Sequence, residues 1–193
     1  KVMSNGTGIA DVSVTDGTNV VKTAADVSYS ILTLAETRFV YITVPSGYDV
    51  AVKDNTIPQF YKELSGTDNF DFNLTKSDID VKKHVFFVHT DAQVTCGEDV
   101  EQYKAVVADN KELAQSYAGT KMFGIDCGDM VGDSPWLFPN YIDAVKPLDW
   151  PIYRAIGNHD MTYSGRTFET SYRTFENYFG PNHFSYDCGD GST

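Results

Sequence analysis

The stretch KMFGIDCGDMVGD, residues 121–133, is a short apolar run followed directly by a turn rich in Gly and Asp. HVFFVHTDAQ at residues 84–93 and IYRAIGNHD at residues 152–160 have the same organisation. Short apolar runs of this kind are typical of strands that are buried on both faces of a sheet. Three such strands with helical patterns between them predict a mainly parallel sheet covered by helices, an α/β arrangement.

The helices of this part are predicted from apolar residues that recur with a helical period. They cover about Asp99 to Ala118, Leu137 to Val145 and Thr167 to Tyr178, and a last strand is predicted from about His183 to Tyr186. The apolar stripe of the first helix consists of Val100, Tyr103, Val106, Val107, Leu113, Ala114 and Tyr117.

The first part of the chain, residues 1–79, has a different pattern, in which short runs of β-forming residues alternate with turn residues. No helical period is found before Glu98. Many short strands with frequent turns predict a small all-β sandwich domain, followed by an α/β domain over residues 80–193. The predicted strands are Val12–Val14, Val27–Leu32, Phe39–Val44 and Asp68–Leu74.

Composition excludes several classes of function. The 193 residues include 27 Asp and Glu against 15 Lys and Arg, so the formal net charge is −12. Binding to duplex nucleic acid needs clustered Lys and Arg, which are absent, and no run of about 20 apolar residues could span a membrane. A phosphate-binding protein of this composition would take its positive charge from bound metal ions.

The polar residues that follow the three apolar strands are the candidate functional residues. They are His89-Thr90-Asp91, Asp126 to Asp129, and Gly157 to Asp160. Ligands of parallel α/β sheets bind at the carboxyl ends of the strands, so we expect these three clusters to lie at one edge. Any one cluster also fits ordinary caps and turns, where Asp and Asn are common, but three in order favour a metal site.

Three motifs resemble the first three signature blocks of the calcineurin-like metallophosphoesterases. They are Asp91-x-Gln93, Gly128-Asp129 with Asp133, and Gly157-Asn158-His159-Asp160. The resemblance covers about residues 84–193 and implies a metal-dependent hydrolase of phosphoric esters. The substrate would be a small molecule or a phosphorylated macromolecule, and the cofactors would be two divalent metal ions, Mn, Zn or Fe.

The resemblance also implies roles for individual residues in the metal shell. Asp91 would bind the first metal, Asp129 would bridge both, and Asn158 would bind the second and face the phosphate. Gln93 stands where many family members have His, so it is either a metal ligand or a simple polar loop residue. A hydroxide held between the metals would attack phosphorus in line.

Three further residues complete the implied site. His159 would stabilise the transition state or protonate the leaving oxygen, with Asp133 and Asp160 as supporting residues. An Asp beside the His can fix the orientation of its imidazole. The family's downstream Gly-His-x-His block is missing, so we expect a fragment with weak metal binding and little turnover.

The N-terminal part carries a second resemblance. The pattern from Gly8 to Gly17 is similar to the first hairpin of transthyretin-like sandwiches, which precede the catalytic domain in some exported bacterial metallophosphoesterases. This implies an exported protein, and the start at Lys1 is compatible with a removed leader.

Two other functions stay open. A non-catalytic binding protein with a degenerate phosphoesterase scaffold is favoured by Gln93, and a purely structural surface module is the third possibility. Outside the motifs, His89 is predicted to pack or hydrogen-bond at a strand end, and Cys127 to be a small buried residue.

Overall fold

The computed structural model describes residues 1–64, 70–163, 167 and 170–189. It divides into two compact units, and neither is continuous in sequence. The first unit consists of Lys1–Ala51, Gln59–His84 and His183–Thr193, and the second of Val52–Pro58 and Val85–Asn182. The predicted boundary between residues 79 and 80 lies near the transition at His84, but each unit also includes a segment from the other half of the chain.

The first unit contains two four-stranded sheets, which confirms the prediction of an N-terminal β domain. The strands are β1 (Val2–Ser4), β2 (Thr7–Gly8), β3 (Ser13–Thr15), β4 (Val20–Lys22), β5 (Phe39–Ile42), β6 (Tyr48–Asp49), β9 (Tyr61–Glu63) and β10 (Phe72–Lys76). Their orders in the two sheets are β2-β1-β10-β6 and β4-β3-β5-β9. All pairs are antiparallel except β1 and β10, which run parallel.

Two strand predictions in this unit are wrong. Residues 27–32 form no strand, because Val27 adopts a left-handed φ of 61° and its N–H bonds to the carbonyl of Ala24 in a tight turn. The predicted strand from His183 to Tyr186 is reduced to one parallel bridge between Tyr186 and Val44. Of the predicted strand Asp68–Leu74, residues 68 and 69 lie outside the described residues, and β10 begins at Phe72.

The second unit has a three-stranded sheet of order β11-β12-β13, formed by β11 (His84–His89), β12 (Lys121–Asp126) and β13 (Ile152–Arg154). Strands β12 and β13 run parallel, with Gly124 opposite Ile152 and Asp126 opposite Arg154. A separate two-stranded hairpin of β7 (Val52–Lys53) and β8 (Ile57–Pro58) contacts β13, where the Ile152 N–H donates to the carbonyl of Thr56 at 2.8 Å.

Among the described residues, three α-helices accompany this sheet, close to the predicted positions: α1 (Gly97–Ala114), α2 (Phe138–Val145) and α3 (Arg173–Phe179). The prediction of the apolar stripe of α1 is only partly confirmed, because some of its residues are exposed. Val100, Val107 and Ala114 recur every seventh residue and are buried, whereas Val106 and Leu113 lie one position off this face and are 48% and 52% exposed. Helix α3 begins six residues later than predicted; residues 168 and 169 lie outside the described residues.

The core of the second unit includes the aromatic residues of α2 and α3. Phe138 is fully buried, and its ring meets that of Phe179 edge to face with the centroids 5.2 Å apart. Such pairs add to the stability that burial of apolar area provides. Within the described ranges, no helix has the length and apolar character that crossing a membrane requires.

Candidate functional site

The loops that follow β11 and β12 run side by side. The Cys127 N–H donates to the carbonyl of His89, and the Gln93 N–H donates to that of Asp129, both at 2.9 Å. Val94 and Val131 then form a parallel bridge. Pairing therefore continues beyond the ends of the two strands, which brings the Asp91 motif beside the Asp129 motif.

The loops that follow β12 and β13 approach so closely that only glycine fits. A Cβ on Gly128 would lie 2.6 Å from the Gly157 nitrogen, and a Cβ on Gly157 would lie 2.0 Å from Asp129 Oδ1. The His159 N–H donates to the same Asp129 oxygen at 2.9 Å. Asp129 thus contacts both neighbouring loops, and the three predicted motifs meet at one edge of the sheet.

Four non-glycine residues in these loops have a left-handed backbone. Their φ angles are 52° at Asp91, 42° at Gln93, 53° at Asp129 and 55° at Asp133. Such conformations cost on the order of 1 kcal/mol each, even though Asp tolerates them better than most residues. The surrounding hydrogen bonds keep these residues in the left-handed conformation. Residues with such backbone strain cluster at functional sites.

The Asp91 carboxylate takes hydrogen bonds from its own loop. The Thr90 hydroxyl donates to Oδ2, and Gln93 Nε2 lies 3.5 Å from Oδ1. Gln93 therefore contacts the carboxylate beside it. Whether its amide oxygen is also a metal ligand stays a prediction.

The imidazole of His159 is oriented by Asp133 across the loops. Nδ1 of His159 lies 3.0 Å from Asp133 Oδ1, and the Asp133 N–H donates to the carbonyl of His159 at 3.1 Å. The hydrogen bond to Asp133 raises the pKa of His159 above its ordinary value, and the negative charges of Asp133, Asp129 and Asp160 act in the same direction. The site thus includes a histidine biased towards its cationic form.

Asp160, the neighbour of His159, binds backbone N–H groups rather than the imidazole. Its buried carboxylate accepts the N–H of Gly157 at 2.9 Å and the N–H of Val131 at 3.1 Å. Burial raises the pKa of Asp160, although these backbone hydrogen bonds favour its charged form. Asp160 therefore fastens the loop after β13 to the loop after β12.

The donor chemistry of the predicted ligands fits part of the shell of a divalent cation. In the part of the chain that the structure describes, no group of three or more His, Cys, Asp or Glu side chains is placed to hold a metal ion. The predicted set has two carboxylates and two amides, and such oxygens are the ligands that hard divalent cations prefer. These ligands are Asp91, Gln93, Asp129 and Asn158, and their role stays a prediction.

Polar residues at the strand ends pair directly beneath these loops, and the sequence did not predict this pairing. Asp126 and Arg154 are 1% and 4% exposed, and His89 lies beside Asp126 at a strand end, as predicted for this histidine. The sequence contained a signal, because a charged residue inside an apolar strand needs a buried partner. The prediction for Cys127 is wrong: its side chain is exposed, because strand alternation ends at Asp126.

Comparison with known proteins gives a match in the N-terminal part of the chain. Residues 1–77, which contain β1 to β10, match the family model described as the N terminal of calcineurin-like phosphoesterase. No curated protein and no solved structure matches the chain. The first 77 residues are therefore similar to the domain that stands N-terminally in calcineurin-like phosphoesterases. The match supports a relation to that family, and the residues of the candidate site lie outside it.

Proposed function

We propose that the chain carries part of a metal-dependent hydrolase of phosphoric esters. The observation that carries this proposal is the meeting of three strand-end loops around Asp129, whose Oδ1 accepts the His159 N–H at 2.9 Å. The family match over residues 1–77 supports it, since domains of that type accompany calcineurin-like phosphoesterases. The transthyretin-like character of that domain, the phosphate-ester substrate and an exported location belong to the same proposal and rest on resemblance.

In this proposal the oxygens of Asp91, Gln93, Asp129 and Asn158 hold divalent cations. When bound, the metals supply the positive charge that attracts a phosphate ester and the acidified water that attacks it. The chain itself has little positive charge to offer, with a formal net charge of −12. Asp129 is the central ligand because it contacts the loops on both sides.

The chain's own acid in this proposal is His159. Asp133 fixes the ring through Nδ1, so the other ring nitrogen is left to face the substrate. The raised pKa favours a protonated ring, which can donate a hydrogen bond to a phosphoryl oxygen or a proton to the leaving oxygen. Asp160 contributes by holding the loop that carries His159.

The first test is a titration of the protein with Mn²⁺, followed by electron paramagnetic resonance, in wild type, Asp129→Asn and Asp143→Asn. Asp143 is a matched control, because it lies on α2 and pairs with Lys146 at the surface. We expect wild type and Asp143→Asn to bind Mn²⁺ alike and Asp129→Asn to lose at least about tenfold in affinity. Equal affinity in all three proteins would refute the assignment.

The second candidate function is a non-catalytic binding protein built on the same scaffold. It is favoured by Gln93, whose amide contacts the Asp91 carboxylate and stands where many members of the family have a His. It predicts a folded wild-type protein that binds no Mn²⁺ and hydrolyses no aryl phosphate ester. The same titration therefore decides between the two functions.

A further inference from the structure

The last residue of each strand in the three-stranded sheet is polar, and it is buried in two of the strands and half-buried in β11. These residues are His89 of β11, Asp126 of β12 and Arg154 of β13. Asp126 is in the middle: its Oδ2 lies 3.1 Å from Arg154 Nε, and its Oδ1 lies 3.2 Å from His89 Nδ1. The three side chains form a continuous row across the sheet, which we call the strand-end row.

Two helices supply further partners to the strand-end row. The Tyr141 hydroxyl of α2 donates to Asp126 Oδ2 at 2.9 Å. From α1, the Tyr103 hydroxyl lies 3.1 Å from His89 Nδ1, and Asn110 Nδ2 lies 2.9 Å from His89 Nε2. Burial, together with the charge of Asp126, raises the pKa of both tyrosines, so their hydroxyls stay protonated and can donate.

Arg154 is held at its far end by backbone and hydroxyl oxygens. One terminal nitrogen donates to the carbonyls of Thr56 and Ile152, and the other donates to the Thr56 hydroxyl, all at 3.1 Å. Among the described residues, Asp126 Oδ1 and Arg154 Nε are buried without a hydrogen-bond partner. Arg154 Nε nevertheless lies 3.1 Å from Asp126 Oδ2, so these two side chains attract each other as an ion pair.

Stability alone gives a weak reason for such a row. Burying an ion pair costs desolvation energy that its attraction often only balances, and apolar residues of similar size frequently do as well. The row does, however, have a geometric effect. If any strand moved along its own axis relative to its neighbour, Asp126 would separate from Arg154 or from His89. The row therefore fixes the positions of the three strand ends relative to one another.

Each row residue lies directly before one of the predicted ligand motifs. His89 precedes Asp91, Asp126 precedes Asp129, and Arg154 precedes Asn158 by a few residues. We propose that the strand-end row positions the three site loops against one another and that its members are positioning residues outside the ligand set. The link to metal binding rests on the proposed function, whereas the link to loop position does not.

The test is amide hydrogen exchange, measured by NMR, at three N–H groups that join one loop to the next: Gln93, Cys127 and His159. Asp126→Asn keeps the shape of the side chain and removes its charge, and Tyr141→Phe removes one donor if the first variant does not fold. The control is Val107→Ala, which opens a cavity in the core under α1. The amide exchange rates of the variants are compared under conditions in which each variant has the same free energy of unfolding.

We expect these three amides to exchange at least about tenfold faster in Asp126→Asn than in Val107→Ala, and about threefold faster in Tyr141→Phe. Rates equal to those of the control would overturn the proposal and leave the row a purely structural feature.

A Mn²⁺ titration adds the second readout. Asp126→Asn should bind Mn²⁺ about tenfold more weakly than Val107→Ala. If wild type itself binds no Mn²⁺, the proposed function fails, and hydrogen exchange still decides the positioning role. If wild type binds and Asp126→Asn binds equally well, the row does not position the ligands.

Discussion

Replacement of Gly157 by Ala tests the geometry of the site more directly than removal of a ligand. The added Cβ would lie 2.0 Å from Asp129 Oδ1 and 2.3 Å from the Asp129 nitrogen. The closer distance is about 1.4 Å short of the 3.4 Å at which ordinary contact begins. A backbone atom is involved, so a side-chain rotation cannot relieve the overlap, and one of the two loops must move by about 1 Å.

This displacement has two measurable consequences. Overpacking of this kind costs about 1–3 kcal/mol, which urea unfolding would detect as a lower midpoint with an unchanged slope. A shift of about 1 Å in a site costs about 100-fold in rate when the site is catalytic. Mn²⁺ affinity should fall by at least about tenfold, because the backbone that carries Asn158 moves away from Asp129.

The control for this experiment is Gly97→Ala. Gly97 is the first residue of α1, and a Cβ placed there meets nothing within 4 Å. Ala is a better helix former than Gly, so Gly97→Ala should be as stable as wild type or more so by up to about 1 kcal/mol, with unchanged Mn²⁺ affinity. If Gly157→Ala matched this control in stability and in Mn²⁺ affinity, the close approach of the two loops would be wrong.

Two further predictions concern titrating groups. Asp133→Asn removes the charge that keeps the pKa of His159 raised, so that pKa should fall towards the ordinary value of 6.5 in an NMR titration, and an unchanged pKa would contradict the contact. Burial and the nearby charge of Asp71 raise the pKa of Tyr29 to about 12, against 10.0 for a free tyrosine. The folded state therefore keeps a proton that the unfolded state loses, and stability should fall as the pH rises from about 10 to about 12. In Tyr29→Phe this part of the alkaline loss should be absent from urea midpoints, and an identical pH profile would show that Tyr29 is not responsible.

The sequence was most informative where the pattern of a segment agrees with its burial. Strand β11 covers the first six residues of the stretch HVFFVHTDAQ and β12 the first six of KMFGIDCGDMVGD, so both apolar runs form strands as predicted. Val27 to Leu32 is a segment whose sequence favours a strand, but among the described strands none forms a ladder with it. Whether a segment pairs as a strand depends on the rest of the chain, and a local sequence pattern does not show whether a partner strand is available.

The placement of the ligand motifs at one sheet edge could be predicted from the sequence, whereas the residues that hold these motifs in position could not. Asp91, Asp129 and Asn158 could be placed at one edge, because parallel strands present their carboxyl ends together. The partner of Asp126 could not be read from the sequence, since Arg154 lies 28 residues further on and meets it through the register of β12 and β13. Asp133 was expected as a supporting residue from the resemblance alone, and its contact with His159 Nδ1 could not be read from the sequence for the same reason.

The electrostatics of the loops favour cation binding over a purely structural role. Asp129, Asp133 and Asp160 surround His159, and the charge of Asp129 contributes to the raised pKa of Asp160. Like charges held this close repel one another, and the left-handed backbone at Asp129 and Asp133 adds further cost. Glycine at the strained positions, or an amide in place of a carboxylate, would relieve these costs in a scaffold that binds nothing. A bound cation would offset the repulsion in one step, and by mass action it would also stabilise the fold. An arrangement that is costly when empty and compensated when a cation is bound is what the proposed function requires.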